Sequence, residues 1–397
     1  VNAEAVTTWL AAQYPRMLLL LEELVNIDSG SHDKSGVDRL ADRLAAFFVE
    51  QGLPVQSIEA PSYGRATVVR CGAREPTAHH KGVLLIGHRD TVFPQGEAHR
   101  RPFCIRGERA YGPGVCDMKA GLVLQAFVTV AMNRFAALPI PLTLLTTGDE
   151  EISSPWSRPH IEAEAKRALA VFNAEPGRPN GGVVIARKGS VFLNLDVQGR
   201  AAHAGVNFFD GASAVSALAH KVLELDQISD ASRGVTLNVG TVQAGQSVNT
   251  VAPQARAQID LRYVGPEDRT ALLARIHAIA QASHLYGTAG KTEIYGEMLP
   301  MPERPSTLAL FAIYKDAAAQ AGFESHGVFT GGCSDSGFTS AVGAPTLCAV
   351  GPTGGMAHTR DEFVELASVL PRTLALALSI FEVARRGGVA ASSSMHP

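Results

Sequence analysis

Cysteine is sparse in this chain of 397 residues: Cys71, Cys104, Cys116, Cys333 and Cys348 are five in number and form no CxxC pair. An odd count without paired spacing excludes a disulfide framework and a thiolate zinc knuckle, and leaves the thiols as small buried hydrophobes. Strong charge of either sign is missing too. A formal net charge of -3, with no basic run, removes the electrostatic footprint of a nucleic-acid or anionic-membrane protein. A small molecule or short peptide is the expected partner. No stretch reaches the roughly 18 uninterrupted apolar residues of a membrane span. The run from Met17 to Leu24 is broken by Glu22 and Glu23 and reads as an amphipathic helix. Internal repeats are absent, and the one low-complexity segment is the small polar tail from Ala390 to Pro397, expected to be loose. Position 1 lacks methionine. Val1 implies a removed segment and leaves two compartments open, the cytoplasm or, after loss of a signal peptide, the periplasm.

Apolar residues are plentiful, at 46% against 18% charged, so forming a core is not the difficulty. The length exceeds what one core supports and implies two domains. From Glu4 to Gly52 apolar residues recur at helical spacing, giving two helices. Short β-rich runs at Thr67 to Arg70 and Gly82 to Gly87, a helix at Lys119 to Phe135 and a strand at Pro139 to Thr147 then alternate as in an α/β layer with a mainly parallel sheet. The texture changes after Lys188. Val191, Leu193, Leu195 and Val197 alternate with polar or exposed neighbours. Helices at Asp210 to Gln227 and Glu267 to Ser283 interleave with strands at Val235 to Gln243, Ala255 to Tyr263 and Lys291 to Tyr295. That βαββαβ order is the ferredoxin-like signature. A helix at Thr307 to Gly322, a strand at Pro345 to Val350 and a helix at Leu366 to Arg385 return to the first pattern. The expected arrangement is one domain of residues 1–188 and 302–397 with a second, 189–301, inserted.

The residues that carry chemistry cluster at strand ends. Asp149, Glu150 and Glu151 directly follow the apolar run Ile140 to Thr146. Acids favour the first turn of a helix, so this triplet alone fits a solvated turn as well as a site. His88-Arg89-Asp90 follows the strand Val83 to Gly87, and on an extended chain His88 and Asp90 point the same way, so the acid could fix the tautomer a metal ligand needs. A lone histidine there is more often structural. Asp117 lies in the turn Gly112-Pro-Gly-Val-Cys-Asp-Met-Lys119, which lacks the third glycine of a nucleotide loop. Glu175 follows Leu169 to Phe172, and His358 follows the strand ending near Val350. In open α/β sheets this rim is where ligands bind. Imidazoles and carboxylates without thiolates suit zinc or a similar divalent ion such as cobalt or manganese, and their number suits two ions.

In this order, His88-Arg-Asp-Thr-Val92, Gly112 to Lys119, Gly148-Asp-Glu-Glu151, Asn173-Ala-Glu-Pro-Gly177, Gly199-Arg-Ala-Ala-His-Ala-Gly205 and Met356-Ala-His358 resemble the motifs of the M20 metallopeptidases, and within them the glutamate carboxypeptidase (carboxypeptidase G2) type. The resemblance runs from about residue 83 to residue 365. It implies a zinc-peptidase-like catalytic domain with an inserted dimerisation domain, two Zn²⁺ per subunit, and a homodimer. Asp117 would bridge the ions, with His88 and Glu175 completing one site and Glu151 and His358 the other. Glu150 would be the general base and Asp90 the support of His88. His203, by itself an ordinary structural histidine, would stabilise the oxyanion in the partner subunit's site. Arg262 and Asn249 match positions that hold a substrate carboxylate, although a surface arginine on a strand is the plainer reading of Arg262. Gly332 and Ser334 lie in the place of a substrate-lining glycine-rich loop, and Lys188 is a further candidate at the domain junction. Ala120 departs from the family's usual glycine, and Cys116 sits beside the bridging acid. Asp149 receives no role.

The activity implied is zinc-dependent hydrolysis of the amide next to a C-terminal amino acid, with Glu150 moving the proton. An N-acyl amino acid deacylase of the aminoacylase or acetylornithine deacetylase kind is the alternative within the fold, and an inactive binding or scaffolding homologue the alternative outside enzymes. A thiol mechanism at Cys333 is disfavoured, because no histidine is tied to it by motif and no G-x-S-x-G elbow is present.

Overall fold

The structure is a computed structural model describing residues 3–72 and 81–389; the polar tail from Ala390 lies outside the described residues. The chain divides into two compact units, one of Val1–Ala186, Glu303–Thr330 and Ser334–Pro397, the other of Arg187–Pro302 with Gly331–Cys333.

The first unit is built on an eight-stranded sheet. Its order is Val55–Ile58, Ala66–Cys71, Leu142–Thr147, Gly82–His88, Ala168–Asn173, Thr346–Cys348, Gly182–Arg187 and His326–Thr330. The four middle strands run parallel. Antiparallel partners flank them, Ala66–Cys71 on one side and Gly182–Arg187 on the other. Every residue of Gly82–His88 and Leu142–Thr147 is buried, as parallel strands covered on both faces require. The helix Ala120–Ala131 is apolar but for Gln125 and Thr129 and buried at every position, the pattern of a helix enclosed by other elements. Gly121 lets it approach closely: a Cβ there would stand 2.0 Å from the Ala174 carbonyl oxygen. By length and composition Val115–Ala136 and Leu366–Arg386 could each cross a membrane, but the apolar window of the first is 94% buried within the fold.

The N-terminal region forms three helices, Ala3–Ala12, Tyr14–Val25 and Lys34–Glu50, where two were expected. Pro15 causes the extra break: it has no N–H to donate to the carbonyl of Ala11, so the chain turns at Gln13. A small antiparallel sheet also escapes the sequence reading. Its strands, Cys104–Arg106, Arg109–Tyr111, Phe363–Glu365 and Gly354–Gly355, are two or three residues long, too short to display alternation. It brings the turn before Asp117 and the loop bearing His358 to one place.

The second unit has the order Thr236–Ala244, Gln254–Tyr263, Gly189–Gln198 and Ala289–Met298, with every neighbour antiparallel. With the helices Ala214–Asp226 and Asp268–Gln281 this is the ferredoxin-like arrangement. Val191, Leu193, Leu195 and Val197 pack with Leu218, Leu225 and Ile276 to form its core. The first helix starts later than Asp210, because the Ser213 hydroxyl caps it by accepting from Ser216 N at 3.2 Å.

Candidate metal centre

At the carboxyl ends of the parallel strands of the first unit, two imidazoles face one carboxylate. His88 Nε2 lies 3.1 Å from Asp117 Oδ1, and His358 Nε2 lies 3.4 Å from Asp117 Oδ2. Each oxygen of Asp117 therefore has its own histidine, the geometry of a bridging carboxylate. Glu175 Oε1 is 3.8 Å from His88 Nε2, and Glu151 Oε2 is 3.2 Å from His358 Nε2. Ligand atoms of His88, Asp117 and Glu151, and of His88, Glu150 and Glu175, fall within 4.8 Å of one another. The chain thus gathers His88, Asp117, Glu150, Glu151, Glu175 and His358, with Asp90 directly behind.

Asp90 is wholly buried and works in two directions. Its backbone carbonyl lies 3.0 Å from His88 Nδ1, nearer than its carboxylate at 3.6 Å, so Nδ1 donates to the carbonyl and Nε2 is left facing Asp117. The Asp90 carboxylate accepts from the backbone N–H of Glu150 and of Glu151, each at 3.1 Å, and from Ser31 Oγ at 2.7 Å. One acid thus anchors both the histidine and the turn of the paired glutamates. The tie to His88 runs chiefly through the main chain rather than through the carboxylate expected from the sequence.

Asp149, left without a role above, is fully buried. It accepts from Trp156 N at 2.8 Å, from Ser157 N at 3.1 Å and from the Ser157 hydroxyl, fastening the chain that leads into the helix Arg158–Ala165. Asp149 therefore anchors main chain, unlike its two neighbours Glu150 and Glu151, whose carboxylates lie among the clustered donors. Glu362, which the sequence reading missed, is also buried: its carboxylate accepts from Gly114 N at 3.0 Å, Cys116 N at 2.9 Å and Asp117 N at 3.0 Å. The one signal was the acid pair Asp361-Glu362 itself, with no legible strand beside it. Ser31 and Asp335 were missed too; Asp335, buried, accepts from Ser154 Oγ. A serine in a polar loop carries no such signal.

The electrostatics describe a site short of positive charge. Burial pushes the Glu151 carboxyl up to about 7 and holds Glu150 well above its ordinary range; burial likewise lifts Asp335 and Glu362, each to about 7. The hydrogen bonds of Asp117 and Glu151 raise His358 to about 10. Burial alone would lower the His88 pKa, but its bonds to Asp117 and Asp90 outweigh that and leave it raised. A divalent cation would relieve this crowding, and a nitrogen and oxygen donor set fits one of the zinc class. Cys116 does not join the set, since burial pushes its thiol well above the ordinary value.

The remaining candidates lie elsewhere. Ser334 is in the first unit but buried, its hydroxyl 3.6 Å from Cys348 Sγ and accepting from Ser336 N at 3.2 Å. His203, Asn249, Arg262, Lys188 and Gly332 belong to the second unit. His203 is exposed, its Nδ1 accepting from Gly205 N at 3.1 Å, so Nε2 carries the proton outward. Asn249 lies in the neighbouring exposed segment, its carbonyl accepting from Ala204 N at 2.9 Å. Arg262 is already engaged: Nε and Nη2 reach the two carboxylate oxygens of Asp260 at 2.7 and 3.0 Å, and Nη1 lies 3.1 Å from Cys333 Sγ. The Gly332 carbonyl accepts from Arg187 Nε at 2.9 Å, and Lys188 is half-buried.

Known proteins resemble this chain over most of its length. The chain is 27% identical over 378 residues to carboxypeptidase G2 of Pseudomonas sp. (strain RS-16), covering 92% of this chain and 88% of that one. It is 28% identical over 383 residues to succinyl-diaminopimelate desuccinylase of Variovorax paradoxus (strain S110), covering 89% and 94%. The M20 family metallo-carboxypeptidase Sso-CP2 of Sulfolobus solfataricus shares the fold, with a TM-score of 0.77 at 18% identity over 92% of this chain and 99% of that one. Residues 84–382 match the profile of Peptidase family M20/M25/M40, and the chain belongs to that family of amide-bond hydrolases.

Proposed function

We propose that this protein is a two-zinc exopeptidase that hydrolyses the amide next to a C-terminal amino acid, glutamate being the first candidate. The observation that carries the reading is the single turn holding Glu150 beside Glu151, both amides anchored on Asp90, next to Asp117 between two imidazoles. His88, Asp117 and Glu175 would hold one ion, and Asp117, Glu151 and His358 the other. Bound divalent ions supply polarisation of the scissile carbonyl and acidification of water. Glu150 accepts the proton from the attacking water and passes it to the leaving amine; its burial, which favours the protonated carboxyl, suits the second transfer. Asp90 keeps the Glu150 turn and the His88 ring in register through both transfers.

In a homodimer, His203 would donate its Nε2 proton to the developing oxyanion at the partner's centre. A fully active monomer in sedimentation would end that assignment. Arg262 would meet the substrate carboxylate only by exchanging Asp260 for it, while Asn249, Gly332, Ser334 and Lys188 remain weaker candidates for that contact.

Likeness to a desuccinylase over most of the chain favours one second reading, an N-acyl amino acid deacylase. Turnover of N-acylglutamates, dipeptides, folate conjugates and N-acetylornithine separates the two. Metal-loaded protein that cleaves none of them would sink both, and would favour the inactive binding homologue. Glu150→Gln is expected to lower kcat by about 10²- to 10⁴-fold while metal content, measured by emission spectroscopy, stays at the wild-type level. An active variant would remove Glu150 from the role of base.

A further inference from the structure

The second unit holds a meeting of imidazoles and a carboxylate of its own, made entirely of residues between Arg187 and Pro302. His220 and Glu224 lie one turn apart on the helix Ala214–Asp226 and so share a face. His284 comes from the segment that follows the helix Asp268–Gln281. Its ring centre lies 5.6 Å from that of His220, with the planes inclined by 25°, and its Nε2 stands 3.1 Å from Glu224 Oε1.

That short distance is not an aligned hydrogen bond. Nε2 of His284 is shut off from water and has no hydrogen-bond partner, and the carboxylate oxygen facing it can only accept. In the tautomer that leaves Nε2 unprotonated, two lone pairs face each other, and a cation between them turns that cost into binding. The dimensions suit zinc. With bonds of about 2.0 to 2.2 Å and tetrahedral angles, neighbouring donor atoms lie about 3.3 Å apart and the centres of two bound imidazoles about 5 Å apart. The observed 3.1 and 5.6 Å are close to both, and His220 is exposed, so its ring can turn to close the difference without disturbing a packed neighbour. The segment carrying His284 is held in place. Lys221 Nζ donates to the carbonyls of Ile279 at 3.1 Å and Ala282 at 2.5 Å, and the Thr288 hydroxyl donates to the Leu285 carbonyl at 2.7 Å. Because Lys221 is buried and its hydrogen bonds go to those carbonyls, the Glu224 carboxylate keeps its oxygens for another cation.

We infer that His220, Glu224 and His284 bind a divalent ion of the zinc class, with water completing the tetrahedron, and that this ion clamps the helix Ala214–Asp226 to the segment after Asp268–Gln281. The site shares no residue with the cluster around Asp117 and does not depend on the amidohydrolase reading. Both histidines lie outside the apolar core of the unit, so replacing them leaves the fold intact.

Zinc counting tests this by difference. Wild-type protein and the double variant His220→Ala/His284→Ala are equilibrated against the same buffer of micromolar free zinc, and the zinc per chain is read by emission spectroscopy. The wild type is expected to hold one ion per chain more than the variant. Glu224→Gln, which keeps the shape of the side chain and removes its charge, is expected to weaken the extra ion by about tenfold or more, since losing even the support behind a ligand costs that much. In the wild type, and not in the double variant, the same zinc should slow amide hydrogen exchange across residues 282–288. Equal zinc in the two proteins overturns the site, whatever the first unit binds. An extra ion that leaves exchange at 282–288 unchanged overturns the clamp.

Discussion

Glu362 spends both carboxylate oxygens on main-chain amides: Oε1 receives Cys116 and Asp117, and Oε2 receives Gly114. Its two oxygens satisfy three main-chain donors at once, and the segment they belong to carries the acid that faces both histidines. Glu362→Ala is therefore expected to weaken divalent-ion affinity by about 10- to 100-fold, the usual effect of losing support behind a ligand. Chelator competition on the folded protein measures this directly. Glu362→Gln, which keeps the shape and one acceptor, should retain most of the affinity. If both variants bind metal like the wild type, the three hydrogen bonds serve the turn alone. A cobalt-loaded sample gives a second reading, since displacement of Asp117 would shift the visible bands.

Arg372 raises the same question for the helix Leu366–Arg386. Its guanidinium is buried and donates to three carbonyls, those of Ala349 at 3.2 Å and of Arg178 and Gly182 at 3.1 Å each. It joins the helix to the chain just past Glu175 and to the end of the strand Thr346–Cys348. A Cβ on Gly177 would stand 2.4 Å from its Cζ, so glycine is needed for the passage. Arg372→Ala removes the guanidinium from the Ala349 and Arg178 carbonyls, while that of Gly182 keeps Arg178 N at 2.9 Å, and is expected to cost about 3 kcal/mol or more in urea unfolding. A loss below about 1 kcal/mol would mean that water or a neighbour replaces the guanidinium. Elements of this length were legible in the sequence because their periodicity spans many residues. The alternation of Val191 to Val197 and the unbroken apolar run of Leu142 to Thr147 announce a half-covered and a fully covered strand. Short elements were not legible. The three-residue strand beginning at Phe363 shows no period, so Glu362 could not be placed beside Asp117. Spacing puts Asp260 and Arg262 on one face of the expected strand, as it does His88 and Asp90, but does not say that the acid pairs with the guanidinium.

For the whole molecule, the balance of shifted carboxyls fixes how metal-free protein responds to pH. Glu151, Asp335 and Glu362 titrate near 7 in the fold, against an unfolded value near 4, so between these limits the native chain holds more protons than the unfolded one. Stability then falls as pH rises through that window. His358 acts on the other side: raised to about 10, it contributes stability that is complete below its unfolded value near 6.5 and lost as pH climbs toward 10. Both trends run downhill with pH. In chelated protein the Tm is expected to fall steadily from pH 5 to pH 9. Added zinc should raise the Tm most at the alkaline end, because ligands must be deprotonated to bind. A chelated Tm that is flat or rises over this range would contradict these assignments.

The three residues Gly331–Cys333 belong with Arg187–Pro302 although about thirty residues of the other unit separate them in sequence. Cys333 Sγ lies 3.2 Å from Ser190 Oγ and 3.1 Å from Arg262, and Gly332 receives Arg187. The smaller unit is therefore not one continuous length of polypeptide. A gene fragment ending at Pro302 would lack the Gly332 carbonyl that Arg187 reaches and the Cys333 thiol beside Arg262, and a graft of that stretch onto a relative would inherit the recipient's loop beside its arginines. Exchange of the whole smaller unit between relatives would then require two separate lengths of DNA to travel together.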